Sequence, residues 1–144
     1  MKVTFDTNIF ISRKPAHRPP NFYLSVVVLQ ELVAGADDES AIKDLDAARR
    51  EHEKAGRLLV PNAEDWWLVG KVINALQRGL KSKNRGLTPK MAADEKYRIT
   101  SDVLIARTAR RAGVTLVTDN AKDFETVQPL CNVRLISGDD YFTA

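Results

Sequence analysis

Residues 100–124 have the sequence TSDVLIARTARRAGVTLVTDNAKDF, and this stretch decides the fold class. Apolar residues recur at helical spacing after Asp102, the Thr-Ser pair before it can cap a helix, and Gly113 can end one. We therefore predict a helix over 102–111. The β-branched run that follows predicts a short buried strand over 115–118. A helix that leads directly into a buried strand is typical of an α/β fold.

Strands and helices alternate along the rest of the chain. Strands are predicted at 2–5, 23–25, 58–60 and 133–136, and helices at 8–11, 27–34, 39–55, 62–80 and 121–128. Asn62 and Asp65 resemble a capping arrangement at the start of one of these helices. A basic loop is expected at 81–87, and Thr88 with Pro89 predicts the start of a further helix. This order predicts an α/β sandwich with a mainly parallel sheet, in a single domain covering 1–144.

Composition excludes several classes of protein. With 144 residues, 44% of them hydrophobic and 28% charged, the chain can bury the core of one domain. The lone Cys131 excludes an internal disulfide and a cysteine-based zinc cluster. Residues 1–10 contain one lysine, and their apolar stretch is too short for a secretory signal. The longest apolar run, 26–29, is too short to span a bilayer. We expect a soluble, cytoplasmic protein without a membrane segment.

Four carboxylates lie at the ends of apolar runs, where a charge is costly to bury. They are Asp6, Glu31, Asp102 and Asp119. Asp6 and Asp119 each follow a predicted strand, so they face the same crevice if the two strands are neighbours in a parallel sheet. Glu31 and Asp102 lie on apolar helix faces. Converging carboxylates repel one another unless a cation compensates them, and Mg²⁺ or Mn²⁺ prefers such oxygen ligands.

Each acid also has a simpler explanation. Asp6, Asp102 and Asp119 could cap helices or lie in their first turns, where the helix dipole favours a negative charge. Glu31 could turn to solvent at the edge of its helix face. Asp123, four residues after Asp119, could add a further oxygen ligand or lie in the first turn of a helix. A metal site accounts for the four acids together.

Positive charge is concentrated in one segment. Residues 78–111 contain ten Lys and Arg and three acids, a net charge of +7 that leaves −4 for the rest of the chain. A basic face of this kind indicates a polyanionic partner, most commonly nucleic acid, although a solvated basic loop would have the same composition. The chain has no Gly-rich phosphate loop and no GxSxG motif, and its two histidines lie in polar surroundings.

Four pieces of the sequence together resemble the PIN domain, and specifically the small VapC-type toxin ribonucleases. They are VTFDTNIF (3–10), SVVVLQELVAG (25–35), TSDVLIARTARRAGVTLVTDNAKDF (100–124) and VRLISGDDYF (133–142). The pieces occur in the family's order and spacing, so the resemblance extends from Met1 to about Phe142. It implies an α/β/α sandwich around a parallel sheet and metal-dependent cleavage of RNA. Residues 78–99 are the least similar part.

The resemblance implies roles for individual residues. Asp6, Glu31, Asp102 and Asp119 match the family's acidic quartet, and Asp123 matches a further acid that many members carry. Asp94 could compete with Asp102 for the third acidic position, but VLIARTA follows Asp102 directly. These acids would hold one or two Mg²⁺ or Mn²⁺ ions that activate water and neutralise charge on the attacked phosphate.

Further residues are expected around this site. Asn8 and Thr118 would orient ligands or water. The RNA backbone would be bound by basic residues near the site: Arg13, Lys14, Arg18, Lys81, Lys83 and Arg85. Trp66 and Trp67, adjacent on a central helix, point in different directions and serve either a dimer interface or the core.

The sequence therefore predicts an endoribonuclease, the toxin of a toxin-antitoxin pair, with a cognate antitoxin and a homodimer as expected assemblies. Two alternatives stay open at this point. One is a PIN-like module that has lost catalysis and binds RNA or protein, and the other is a nuclease that is not a toxin.

Overall fold

A parallel sheet forms the centre of the molecule. The computed structural model describes residues 1–83 and 91–143, with 80–83 described by their backbone alone. The strands are β1 (Val3–Phe5), β2 (Leu24–Ser25), β3 (Leu58–Leu59), β4 (Thr115–Thr118) and β5 (Leu135–Ser137). One ladder has the order β1-β4-β5 and a second pairs β2 with β3, all in parallel. The parallel bridge between Val3 and Phe22 joins the two ladders.

Helices cover both faces of this sheet. They are a π-helical turn (Ile9–Arg13), α1 (Val26–Ala34), α2 (Glu39–Lys54), α3 (Ala63–Lys83), α4 (Ala93–Ala112), α5 (Ala121–Glu125), α6 (Gln128–Cys131) and α7 (Gly138–Thr143). Consecutive strand residues face opposite sides, so Leu116 packs with α1, α3 and α4, whereas Val117 packs with Phe5 and Phe22 on the other side. The predicted α/β sandwich with a mainly parallel sheet is confirmed, as three layers with the sheet in the middle.

Short polar residues cap the starts of three helices. The Ser25 hydroxyl accepts a hydrogen bond from Val28 N at 3.3 Å, and the Asp38 carboxylate accepts one from Ala41 N at 2.8 Å. At α3, Asp65 N donates to Asn62 Oδ1 at 3.0 Å and Asn62 N donates to Asp65 Oδ2 at 2.9 Å. The predicted capping arrangement is confirmed.

The helix predicted at 102–111 is longer than expected, because α4 begins at Ala93. Thr100 does not cap a helix there; its hydroxyl donates to the carbonyl of Lys96 at 2.7 Å, a bond that a threonine inside a helix makes with the preceding turn. The C-terminal boundary is as predicted, since Gly113 ends α4 with φ of 69°.

Several other boundaries were wrong. Residues 81–83 were expected in a basic loop but belong to α3, which continues to Lys83. The rest of that predicted loop, with Thr88 and Pro89, lies outside the described residues. The helix predicted at 121–128 is two short helices, α5 and α6, and α7 was not predicted. The last strand is shifted to Leu135–Ser137. Within the described ranges, no helix is both long enough and apolar enough to cross a membrane.

Candidate metal and nuclease site

The carboxyl ends of β1 and β4 lie side by side at one edge of the sheet. Phe5 is the partner of Val117 in the ladder, and Asp6 N donates to Val117 O at 3.0 Å. Asp6 is the first residue after β1, and Asp119 is the first residue after β4. The prediction that the strands preceding these two acids are neighbours is therefore confirmed.

A cavity of about 320 Å³ opens at this edge. Four carboxylates from different parts of the chain line it: Asp6 after β1, Glu31 on α1, Asp102 on α4 and Asp123 on α5. Glu31 and Asp102 come together because α1 packs against α4 through buried residues that include Val28. Acids far apart in the sequence thus meet on one wall.

Asp6 is held in place by a chain of hydrogen bonds. Its Oδ1 accepts from Thr7 N at 2.8 Å, and its Oδ2 accepts from the Thr118 hydroxyl at 2.9 Å. That hydroxyl in turn accepts a hydrogen bond from Asn120 N at 3.0 Å. Both oxygens of the Asp6 carboxylate therefore accept a hydrogen bond, which restrains the orientation of the group.

The cavity opposes ionisation of its carboxyl groups. Burial raises the pKa of both Asp6 and Glu31 above their usual values. Burial also raises the pKa of Asp102 to about 8, and the negative charges of Asp6 and Asp123 add to the rise, while Arg98 acts against it. Asp102 therefore carries a proton in most molecules at pH 7. A cation in the cavity would favour the charged forms of all these groups.

The donor atoms of the cavity fit a hard divalent cation. Besides the carboxylates, Asn8 Oδ1 lies buried at the wall and has no hydrogen-bond partner within the described part of the chain. Carboxylate and amide oxygens are the ligands that Mg²⁺ and Mn²⁺ prefer. Among residues 1–83 and 91–143, however, no three Asp, Glu, His or Cys side chains are grouped closely enough to hold one ion together. Coordination of one ion by three carboxylates thus requires these side chains to move closer.

Asp119 lies at the same sheet edge but does not line this cavity. Arg13 binds it in a bidentate ion pair, with Nε 2.7 Å from Oδ2 and Nη2 2.9 Å from Oδ1. Arg13 holds the pKa of Asp119 below its usual value and also contacts Asp139 at 2.7 Å. A Cβ at Gly138 would overlap both the Asp119 carboxylate and the Arg13 side chain, so a larger residue here would displace this ion pair.

The predicted RNA-binding residues have different surroundings. Arg13 is engaged with Asp119 and Asp139, whereas Lys14 and Arg18 are exposed. The side chains of Lys81 and Lys83, and the whole of Arg85, lie outside the described residues. Among the competing acids, Asp94 is exposed in the first turn of α4 and does not line the cavity.

One charged residue of the cavity wall was missed by the sequence reasoning. Arg98 lies one helical turn before Asp102 on α4, and its Nη1 is 3.6 Å from Asp123 Oδ1. The spacing of four residues on a helix, which puts two side chains on one face, was the signal that could have identified it.

Solved structures with a similar fold cover nearly the whole chain. A chain of VapBC-1 from nontypeable Haemophilus influenzae is 22% identical, with a TM-score of 0.55 over 95% of this chain and 98% of that one. FitAB bound to an IR36 DNA fragment gives 17% identity and a TM-score of 0.52 over 94% of each chain. DNA-bound VapBC from Salmonella typhimurium gives 21% identity and a TM-score of 0.50 over 95% of this chain and 98% of that one. No curated protein sequence is significantly similar.

The family follows from the sequence itself. The family model of the PIN domain matches residues 3–128, which include both neighbouring strands and every acid that lines the cavity. The resemblance drawn from the four sequence pieces is thus confirmed at the level of the family, and this chain belongs to the PIN domain family, a family of nucleases.

Proposed function

We propose that this chain is a Mg²⁺- or Mn²⁺-dependent endoribonuclease that hydrolyses phosphodiester bonds of RNA. The observation that carries the proposal is the convergence of four carboxylates on one cavity of a PIN domain. Buried and half-buried acids with raised pKa values lower stability unless a cation compensates them, so their presence together favours a metal site. The net charge of +7 in residues 78–111 suits a polyanionic substrate.

Asp6, Glu31, Asp102 and Asp123 would hold the metal. The ion would supply a water of lowered pKa and neutralise charge on the attacked phosphate, so a nucleophilic side chain is not needed. Thr118 keeps the Asp6 carboxylate oriented through its hydroxyl, as an outer partner of a ligand does. Asp102 has to release its proton before it can serve as a ligand.

Asp119 is the member of the proposed quartet whose role the geometry favours least. Its carboxylate is neutralised by Arg13, and breaking that bidentate pair would be needed before it could reach a metal ion in the cavity. Asp123 already lines the cavity, and its charge raises the pKa of both Asp6 and Asp102. We therefore propose Asp123 as the fourth ligand and Asp119 as the anchor of Arg13.

We further propose that the protein is the toxin of a toxin-antitoxin pair, with an antitoxin as its partner. Support comes from the four VapC-like sequence pieces and from the similar fold of chains in VapBC complexes. The proposal includes a homodimer, since Trp66 and Trp67 are 56% and 73% exposed on α3 and would be covered by a second copy.

Cleavage of RNA by the purified chain is the direct test of the proposed function. We expect cleavage with Mn²⁺ or Mg²⁺ and none after chelation with EDTA. Asp6→Asn, which keeps the shape of the side chain, is expected to be inactive. If Asp6→Asn cleaves as fast as the parent, the proposed site is wrong. Absence of any Mn²⁺ binding at millimolar concentration in calorimetry would favour an inactive binding module.

Calorimetric titration of Mn²⁺ also separates the roles of Asp123 and Asp119. We expect Asp123→Asn to weaken Mn²⁺ binding about tenfold or more, because it removes a negative charge from the cavity wall. Asp119→Asn should change the affinity less than about threefold, because that charge is already paired with Arg13.

Asp139→Asn is the matched control for Asp119→Asn. It removes the other carboxylate that contacts Arg13, and its side chain is 88% exposed. We expect parental Mn²⁺ affinity in this variant. A larger loss of affinity in Asp119→Asn than in Asp123→Asn would show that Asp119, and not Asp123, is the ligand.

A further inference from the structure

Arg98 occupies the boundary between two cavities. It lines the carboxylate cavity and also a second cavity of about 310 Å³ between α3, α4 and α5, whose walls include Leu76 and Met91. Asp102 and Asp123 line both cavities as well. Among the described residues that line the carboxylate cavity, Arg98 is the one cation.

The position of Arg98 leaves its guanidinium accessible. Its side chain is 55% exposed, and its distance of 3.6 Å to Asp123 Oδ1 exceeds the length of a direct hydrogen bond. An exposed ion pair of this length contributes little to stability, so it does not explain why a cation is located in the wall of this site.

A cation in the cavity wall can offset the repulsion between the carboxylates and a phosphate of the substrate. Once Asp102 has released its proton, the four carboxylates repel the phosphates of RNA, and a single divalent ion offsets only half of their negative charge. A guanidinium beside the ligands supplies further positive charge and a planar pair of N–H donors that match two phosphate oxygens. A strand that passes from the carboxylate cavity into the second cavity crosses Arg98 on the way.

We propose that Arg98 binds a phosphate of the RNA substrate next to the metal site. The proposal rests on the proposed nuclease function and adds to it a specific substrate-binding residue on α4. In this role Arg98 repels the metal ion slightly while it attracts the substrate. Removal of its charge therefore affects the two ligands in opposite directions, which a purely structural role would not do.

Arg98→Ala tests whether removal of this charge weakens substrate binding without weakening metal binding. We expect kcat/KM for RNA cleavage to fall about tenfold to a hundredfold, the usual effect of removing one charged hydrogen-bonding partner. Mn²⁺ affinity, measured by calorimetry without RNA at pH 8.5, where protons compete little for the carboxylates, should stay the same or increase severalfold. Arg98→Lys should recover only part of the cleavage, because an ammonium lacks the planar pair of donors.

Arg110→Ala is the matched control. It removes the same charge from the same helix, and Arg110 is exposed near Gly113, away from both cavities. We expect parental kinetics and metal affinity from it.

The outcomes separate the two proposals. If Arg98→Ala cleaves within twofold of the parent, Arg98 does not bind substrate, even though the nuclease function stands. If it loses Mn²⁺ affinity in parallel with cleavage, Arg98 acts by positioning Asp123, and the inference is also overturned. If the parent does not cleave RNA with any divalent metal, or Asp6→Asn is as active as the parent, the proposed function fails and the inference fails with it.

Discussion

Replacing Asp102 with asparagine is expected to lower RNA cleavage about a thousandfold and, without divalent metal, to raise the melting temperature. The loss of activity follows from removing a charged ligand from the proposed metal site. The gain in stability follows from the raised pKa of Asp102, which is about 8 in the folded protein because of burial and the neighbouring Asp6 and Asp123 charges. Asparagine has the same shape and carries no charge to bury.

The sign of the pH dependence follows from the same pKa. A carboxyl group whose pKa is higher in the folded protein than in the unfolded chain destabilises the fold as pH rises above the unfolded value, about 3.9. For Asp102 this cost is complete above pH 8 or so. Allowing for partial exposure, we expect Asp102→Asn to be about 2 kcal/mol more stable at pH 8, or about 5 °C in Tm.

Thermal unfolding at pH 6 and pH 9, with EDTA and with Mn²⁺, measures this prediction. Without metal, the parent should melt at a lower temperature at pH 9 than at pH 6, and the variant should show a smaller difference. With Mn²⁺ the parent should melt at a higher temperature than Asp102→Asn, because metal binding stabilises the parent more. Calorimetry in buffers of different ionisation enthalpy should show that the parent releases a proton when it binds Mn²⁺ at pH 7. The variant should release fewer protons per Mn²⁺ ion bound.

Asp94→Asn is the control for this substitution. It makes the same chemical change in the first turn of the same helix, where Asp94 is exposed. We expect normal cleavage and, because a favourable helix-dipole interaction is lost, a Tm equal to the parent's or slightly lower. The prediction fails if Asp102→Asn melts below the parent without metal, or if it keeps cleavage within tenfold of the parent.

The positions of Asp6 and Asp119 show how much of the site the sequence could predict. A strand followed by Asp6, and a second strand followed by Asp119, are local patterns, and the rule for parallel sheets places their ends together. What the sequence could not decide is which acid after β4 faces the cavity. Arg13, which is 106 residues away from Asp119 in the chain, pairs with that carboxylate. No local pattern predicts this long-range contact, and Asp123 lines the cavity wall instead.

Helix α4 shows the same limit for the fold. The end of the helix at Gly113 is a local signal and was predicted correctly. Its start was not, because Thr100 is a good cap by residue type but uses its hydroxyl within the helix. Ile99, one residue before Thr100, is buried in the same cluster as Val69 and Val72 of α3, so the earlier part of α4 packs against a helix from elsewhere in the chain. Tertiary packing thus overrides a local capping signal.

Replacing Arg111 with methionine is expected to cost about 3 kcal/mol of stability. Arg111 Nη1 lies 2.5 Å from both carboxylate oxygens of Asp65, whose side chain is fully buried at the start of α3. Arg107 is farther away, at 3.8 Å. Removing Arg111 leaves the buried Asp65 charge with the Asn62 N hydrogen bond and the more distant Arg107. Breaking a buried ion pair usually costs about 3–5 kcal/mol, and the partial exposure of Arg111 and these remaining contacts favour the lower end of that range. Urea denaturation with a constant m-value measures the loss.

A double-mutant cycle with Asp65→Asn tests the cause. Asparagine at 65 keeps a polar side chain for the cap and removes the buried charge, so Arg111→Met should cost only about 1 kcal/mol in that background. Glu53→Ala is the control for an ordinary ion pair, since Glu53 pairs with Arg49 at 2.9 Å on the exposed face of α2. It should cost less than about 1 kcal/mol.

The result bears on the proposed nuclease site because the Arg111–Asp65 ion pair joins α4 to α3. Arg111 lies in the last turn of α4, the helix that also carries Asp102 and Arg98 in the cavity wall. Since Arg111 does not line that cavity, the folded variant should keep parental kcat/KM at temperatures well below its Tm. Two results would contradict this explanation: Arg111→Met no less stable than Glu53→Ala, or an equal loss of unfolding free energy from Arg111→Met in the Asp65→Asn background. In either case, neutralisation of the buried Asp65 charge by Arg111 is not what holds these two helices together.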